Sequence, residues 1–154
     1  MSSPNYIDAF TRRFALHPQS TALVVVDLQY ATGSRAHGLG RLLASQGRLG
    51  DAEYRFDRIE RQVVPNTRRL LDAFRRRGAR VVYVTYGAGL PDCSDVPPHL
   101  RELVAATDNR VGTREHEIVD AVKPEPGELV LNKTTMGAFA STGIDSHLRA
   151  MGVQ

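Results

Sequence analysis

The stretch ALVVVDLQY, residues 22–30, sets five apolar residues in a row and follows them with an aspartate. A run this apolar and this rich in β-branched residues reads as a strand covered on both faces, as strands of parallel sheets are, and the pattern predicts a strand from Thr21 to Leu28. A carboxylate beside such a run is costly to desolvate unless something pairs with it. Asp27 is therefore either a cap on the segment that follows or part of a site.

Two other stretches have the same character: ARVVYVTYG, residues 79–87, and LVLNK, Leu129 to Lys133. Helical signals lie between and after them. Glu53 to Arg77 places Ile59, Val63, Leu70, Leu71 and Phe74 on one apolar side, with Gly78 as the stop. Pro65 either kinks this helix or opens its second half. A short helix is expected near Leu100 to Ala106, a second helical piece around Glu115 to Val122, and a turn at KPEPGE. Thr142 and Asp145 have capping-box spacing ahead of IDSHLRAMG, a helix that Gly152 ends. Strands alternating with helices imply an α/β fold: a three-layer, Rossmann-like α-β-α arrangement with a mostly parallel sheet and right-handed crossovers.

Residues 31–51, ATGSRAHGLGRLLASQGRLGD, read as a long connection of the kind that forms binding loops or lids. Their glycines lack phosphate-loop spacing, which argues against a nucleotide-binding domain. His37 is expected as an exposed loop histidine. At the N-terminus, Tyr6, Ile7, Phe10 and Phe14 fall at helical spacing, so residues 1–20 are expected to be a helical extension on a single domain that spans 1–154 and is incomplete.

At 154 residues and 42% hydrophobic, the chain has enough material for one core. Its longest apolar run is far short of a membrane span, and its N-terminus lacks the basic-then-apolar order of a signal peptide, so a cytoplasmic protein without a membrane partner is expected. The formal net charge of +3 comes from arginines interleaved with acids, and no nucleic-acid motif accompanies them. One cysteine, Cys93, excludes an internal disulfide and a cysteine-rich zinc site. Its acidic, turn-like surroundings, LPDCSDVPP, mark it as an ordinary loop residue. Of the 20 lysines and arginines only Lys123 and Lys133 are lysine. Lys133 ends an apolar strand, which suggests a position that wants a compact ammonium in place of a planar guanidinium.

In open α/β sheets ligands bind at the carboxyl ends of the strands. That rule gathers Asp27, Tyr86 and Lys133 along one edge, where acid and lysine can satisfy each other. The residues alone leave two readings open: an ion pair that only closes the sheet edge, or a catalytic pair. Phe139 and Tyr86 are candidate apolar walls for a small substrate, Tyr30 a candidate phenol contact, and Gln29 either a substrate-orienting amide or a strand cap.

The segments ALVVVDLQ, VVPNTRRLLDAFRRRGARVVYV, KPEPGELVLNKTTMGAFAST and IDSHLRAMGV together resemble the isochorismatase-like cysteine hydrolases, a family that includes nicotinamidases, carbamoyl-amide hydrolases and ureidoacrylate hydrolases. The likeness runs from about Thr21 to the last residue, and the segment around Lys133 is its most specific part. In that family an aspartate, a lysine and a cysteine form a catalytic triad; Asp27 matches the aspartate and Lys133 the lysine. The resemblance implies a hydrolase of C–N bonds in a small amide, carbamoyl or ureido compound that works through an acyl-enzyme and needs no cofactor. The family's cysteine follows a strand after LRAMGV, so the nucleophile is expected outside these residues, together with C-terminal strands that would cover Leu129 to Leu131. The segment alone is expected to be inactive and not a stable monomer: it should form a homo-oligomer or associate with the missing C-terminal segment. A non-catalytic module of the same fold, with Asp27 and Lys133 as a purely structural pair, is the alternative.

Two departures from the family pattern matter. DLQYATGS stands where many members carry Asn-Asp-Phe after Asp-x-Gln. The loop GAGLPDCSDVPPH holds only His99, where nicotinamidases have a histidine-rich, metal-binding loop, so no metal site and no pyridine-amide substrate are expected.

Overall fold

The computed structural model describes residues 7, 10, 11 and 15–154. Of the helix expected from Tyr6 to Phe14, only residues 7, 10 and 11 are among those described. Among them are three strands: β1 (Ala22–Val26), β2 (Arg80–Tyr86) and β3 (Leu129–Lys133). They form a parallel sheet in the order β1-β2-β3. Ala22 pairs with Arg80 and Val26 with Val84, while Val82 pairs with Leu129 and Tyr86 with Lys133, so β2 and β3 end at the same level and β1 stops two residues short of them.

Side chains alternate across the sheet, and each face has its own helix. On one face Val25, Val81 and Tyr83 pack against Leu71, Phe74 and Val64 of α4 (Val64–Arg76) and against Val122. On the other, Val82, Val84, Leu129 and Leu131 pack against Ile144, Leu148 and Met151, in and just after α7 (Ile144–Ala150). The three expected layers are therefore present, built from few elements. α7 half-covers Leu129 and Leu131, whereas Val130 and Val26 are exposed. No helix among the described residues is long and apolar enough to cross a membrane.

Several elements differ from expectation. β1 stops at Val26 because Asp27 turns to a φ of 56°, a left-handed conformation that aspartate tolerates better than most residues. The stretch read as an open connection instead forms α1 (Tyr30–Gly33) and α2 (Gly38–Ser45). A glycine makes this possible: a Cβ on Gly38 would lie 2.2 Å from the Ala31 carbonyl oxygen. His37 is half-buried, with its ring 4.7 Å from that of Tyr30.

The long helix begins with α3 (Glu53–Arg58), passes through a π-helical turn (Ile59–Val63) and continues as α4 with Pro65 in its first turn. The wide turn shifts the helical phase, so Phe56 is fully buried and Leu70 is exposed. Short helical turns run through Pro98–Leu100 and α5 (Arg101–Ala106) as expected. Glu115 to Val119 is not helical. The Tyr30 and Ala31 amides donate to the carbonyls of Glu117 and Glu115, Ile118 bridges Gln29, and only Asp120–Val122 coils, as a 3-10 turn. The capping box does not form: Gly143 occupies the N-cap, the Thr142 hydroxyl accepts from the Ile144 amide, and Asp145 pairs with Arg149. A short α6 (Ala138–Ser141) precedes this helix.

Candidate active site

The carboxyl edge of the parallel sheet brings Asp27, just past the end of β1, together with Tyr86 and Lys133, the last residues of β2 and β3. Because β2 lies between β1 and β3, a group on β3 must reach across two strand spacings, about 10 Å, to meet β1. The four-carbon stem of Lys133 and the side chain of Asp27 together span that gap. Its Nζ donates to Asp27 Oδ2 at 2.9 Å and stands 4.7 Å from the centroid of the Tyr86 ring. Lys133 is 3% exposed, whereas the Asp27 side chain is 40% exposed, so the cation is buried and the acid opens outward. The backbone turn at Asp27 is anchored by its own amide, which donates to the Val84 carbonyl.

Two polar atoms in this group are buried and have no hydrogen-bond partner among the described residues: Asp27 Oδ1 and the Tyr86 hydroxyl. Burial, and then the charge of Asp27, raises the Tyr86 phenol pKa and keeps it a protonated donor. Buried polar atoms in folded proteins are nearly all satisfied, so two open ones beside a buried ammonium mark a place where something else docks.

Beneath this group lies a polar lattice that sequence reading missed. Gln29 is 1% exposed; its Nε2 donates to the carbonyls of Tyr86 (3.0 Å) and His116 (2.7 Å), and its Oε1 accepts from the Tyr86 amide at 2.8 Å. Asn109 Nδ2 donates to the same Tyr86 carbonyl at 2.8 Å. Asn132 Nδ2 donates to Gly87 O, which leaves its Oδ1 to accept from His116 Nε2 at 2.8 Å, so that nitrogen carries the ring proton. Gly87 cannot be replaced here, since a Cβ would lie 2.6 Å from the His116 ring and 2.7 Å from Asn109 O. The lattice ties the ends of all three strands together.

The other expected contacts fall elsewhere. The amide of Gln29 is committed to protein partners. The Tyr30 hydroxyl accepts from the Asp120 amide, and its ring lies 4.0 Å beneath the Arg114 guanidinium, with no contact to Asp27 or Lys133. Phe139 is exposed on α6. Cys93 is no solvent-facing loop residue: it is 2% exposed and packs with Ala88, Val96 and Val104 against Tyr86. No group of three or more His, Cys, Asp or Glu side chains among the described residues is placed to hold a metal.

Comparison with known proteins adds to this geometry. The Isochorismatase domain model matches residues 21–154. The ureidoacrylate amidohydrolase RutB of Rhizobium rhizogenes (strain K84) is 29% identical over 157 residues, covering 90% of this chain and 58% of that protein. A cysteine hydrolase from Pseudomonas syringae pv. phaseolicola 1448A superimposes with a TM-score of 0.68 at 22% identity, over 99% of this chain and 62% of its own. N-carbamoylsarcosine amidase from Thermoplasma acidophilum superimposes with a TM-score of 0.60 at 25% identity, over 87% and 63%. The chain thus spans about three fifths of the length of the relatives it matches.

Proposed function

The chain belongs to the isochorismatase domain family, and from that premise we propose that it is the Asp- and Lys-bearing part of a cysteine-dependent hydrolase of C–N bonds in a small amide, carbamoyl or ureido compound. The observation that carries this reading is the buried, unpartnered Oδ1 of Asp27 beside the Lys133 ammonium. A carboxylate oxygen left open there is free to accept a proton from a thiol. The names of two relatives, a ureidoacrylate amidohydrolase and a carbamoylsarcosine amidase, support the bond class.

In the proposed cycle a cysteine from outside residues 1–154 gives its proton to Asp27, and Lys133 stabilises the resulting thiolate. The thiolate adds to the carbonyl carbon. As the C–N bond breaks, Asp27 returns the proton to the leaving nitrogen, and ammonia or an amine departs. Asp27 then takes a proton from water, the hydroxide cleaves the thioester, and the thiol is restored. Backbone N–H groups near the nucleophile would hold the oxyanion. No metal or organic cofactor enters this sequence. The exposed Val26 on one edge strand and Val130 on the other, with Met136 and Phe139 beyond β3, support burial of apolar surface against further polypeptide, in a homo-oligomer or by a C-terminal segment.

The test is a panel of ureido, carbamoyl and simple amide compounds assayed for ammonia release by the protein expressed from its native gene. Turnover of at least one compound, blocked by a thiol alkylating agent, is expected. No turnover across the panel by a folded protein would overturn the proposal in favour of a non-catalytic module.

A further inference from the structure

The Lys133 ammonium is 3% exposed, yet among the described residues it has a single hydrogen-bond partner, Asp27. An ammonium has three N–H groups, and a buried cation with one carboxylate contact is poorly compensated. What lies on its other side is the face of Tyr86, 4.7 Å from Nζ to the ring centroid, within the range of a cation–π contact. The fold holds that ring in place from several directions. Gln29 and Asn109 make three side-chain hydrogen bonds to the Tyr86 backbone at 2.8–3.0 Å. Cys93, Ala88, Val96 and Val104 pack against the side chain. Its hydroxyl makes no hydrogen bond among the described residues, so what Tyr86 offers Lys133 is the face of its ring.

We propose that Tyr86 is a positioning residue for the hydrolytic site, its ring face holding the Lys133 ammonium within reach of Asp27 while Gln29 and Asn109 clamp the strand end that carries it. This role rests on the hydrolase reading given above. It gives Gln29 a purpose two steps from the chemistry and explains why its amide is turned into the protein. It also explains the choice of lysine. The ammonium must arrive over β2 as a compact charge on a slim stem, with the ring below and the carboxylate ahead.

The chain has only two lysines, Lys123 and Lys133, so selective 13C labelling of lysine gives two ε-methylene signals. In the wild type the Lys133 ε-protons should be shifted upfield of those of Lys123 by the tyrosine ring. Tyr86→Phe keeps a ring and should keep that shift; Tyr86→Leu and Tyr86→Met should both lose it while the strand signals remain dispersed. In the protein from the native gene, on a compound it turns over, Tyr86→Phe, which keeps the ring, should lose far less kcat than either ringless variant. The two ringless variants should lose about tenfold to thirtyfold in kcat with KM changed far less. A wild-type Lys133 signal without an upfield shift, or ringless variants with wild-type kcat, would overturn the proposal. If the wild type turns over no compound while the ring shift follows Tyr86 as described, the hydrolase reading fails and the ring's hold on the ammonium stands.

Discussion

Two tyrosines three residues apart on β2 meet two ion pairs on opposite faces of the sheet, and the fold treats the two places differently. Tyr83, under α4, donates its hydroxyl proton to Val122 O at 2.9 Å and accepts from Arg75 Nη2 at 3.1 Å. Arg75 grips Glu128 with two bonds of 2.9 and 2.8 Å and also reaches the Lys123 carbonyl, while Glu128 accepts from the Glu125 amide. Every buried polar atom of that cluster has a partner. At the other place Lys133 and Asp27 share one bond, and both Asp27 Oδ1 and the Tyr86 hydroxyl are left open. A buried ion pair that serves stability is finished with hydrogen bonds, because an unfinished one is costly. One left unfinished at the carboxyl edge of a parallel sheet persists where the open positions are used.

The difference can be broken experimentally. Arg75→Leu strips the cation from the saturated cluster and leaves Glu128, 14% exposed, and the Tyr83 hydroxyl under-partnered. It should lower unfolding free energy by about 3 kcal/mol in a denaturant titration and leave the Asp27 site unaltered. A loss below about 0.5 kcal/mol would mean that this pair is not the stabilising one.

The same cluster sets an acid dependence. Burial pushes the Glu128 carboxyl up, but its two bonds to Arg75 and the Glu125 amide outweigh that and hold its pKa below the usual carboxylate value. A depressed folded-state pKa means that the pair's stability is present above the unfolded-state pKa of Glu, about 4.3, and is lost as pH falls through the lower folded value. Glu128→Gln should therefore be less stable than wild type by about 2 kcal/mol at pH 7, and the difference should begin to shrink as pH falls below about 4.3. Parallel curves down to pH 3 would contradict the assignment.

The smallest effect sharpens the comparison most. Tyr83→Phe removes a hydroxyl with three partners and should cost about 1–1.5 kcal/mol. Tyr86→Phe removes one with none, and should be neutral or stabilising by up to about 1 kcal/mol. Equal destabilisation by both changes, measured by thermal melting, would show that the Tyr86 hydroxyl is satisfied after all.

How much of this could be read beforehand depended on how local each signal was. β2 and β3 were legible because apolar runs bounded by turn residues leave little choice, and Asp27 and Lys133 were legible because strand ends gather charged residues at one edge. The break at Asp27 was not, since its left-handed backbone is anchored by a hydrogen bond from its amide to Val84 O on the neighbouring strand and its side chain meets a lysine 106 residues away in sequence. α1 and α2 were hidden by glycines that read as flexibility, although Gly38 allows close packing on Ala31. The segment from Glu115 to Val119 has helical composition, but its carbonyls are claimed by the amides of Tyr30 and Ala31. Gln29, Asn109, His116 and Asn132 form one lattice without any shared spacing, and the only local hint of it is Gly87 beside them.

The central claim is that Asp27 is the base of a hydrolytic site, and one substitution isolates it. Asn retains an oxygen to accept from Lys133 and tolerates the φ of 56°, so Asp27→Asn keeps the local geometry while removing the carboxylate's basicity. The measurement is ammonia release from a compound the wild type cleaves, set beside the unfolding curve of each protein. The account predicts a cooperative unfolding transition in the variant and a fall in kcat of about 10²–10⁴. A folded Asp27→Asn variant with wild-type turnover would contradict it.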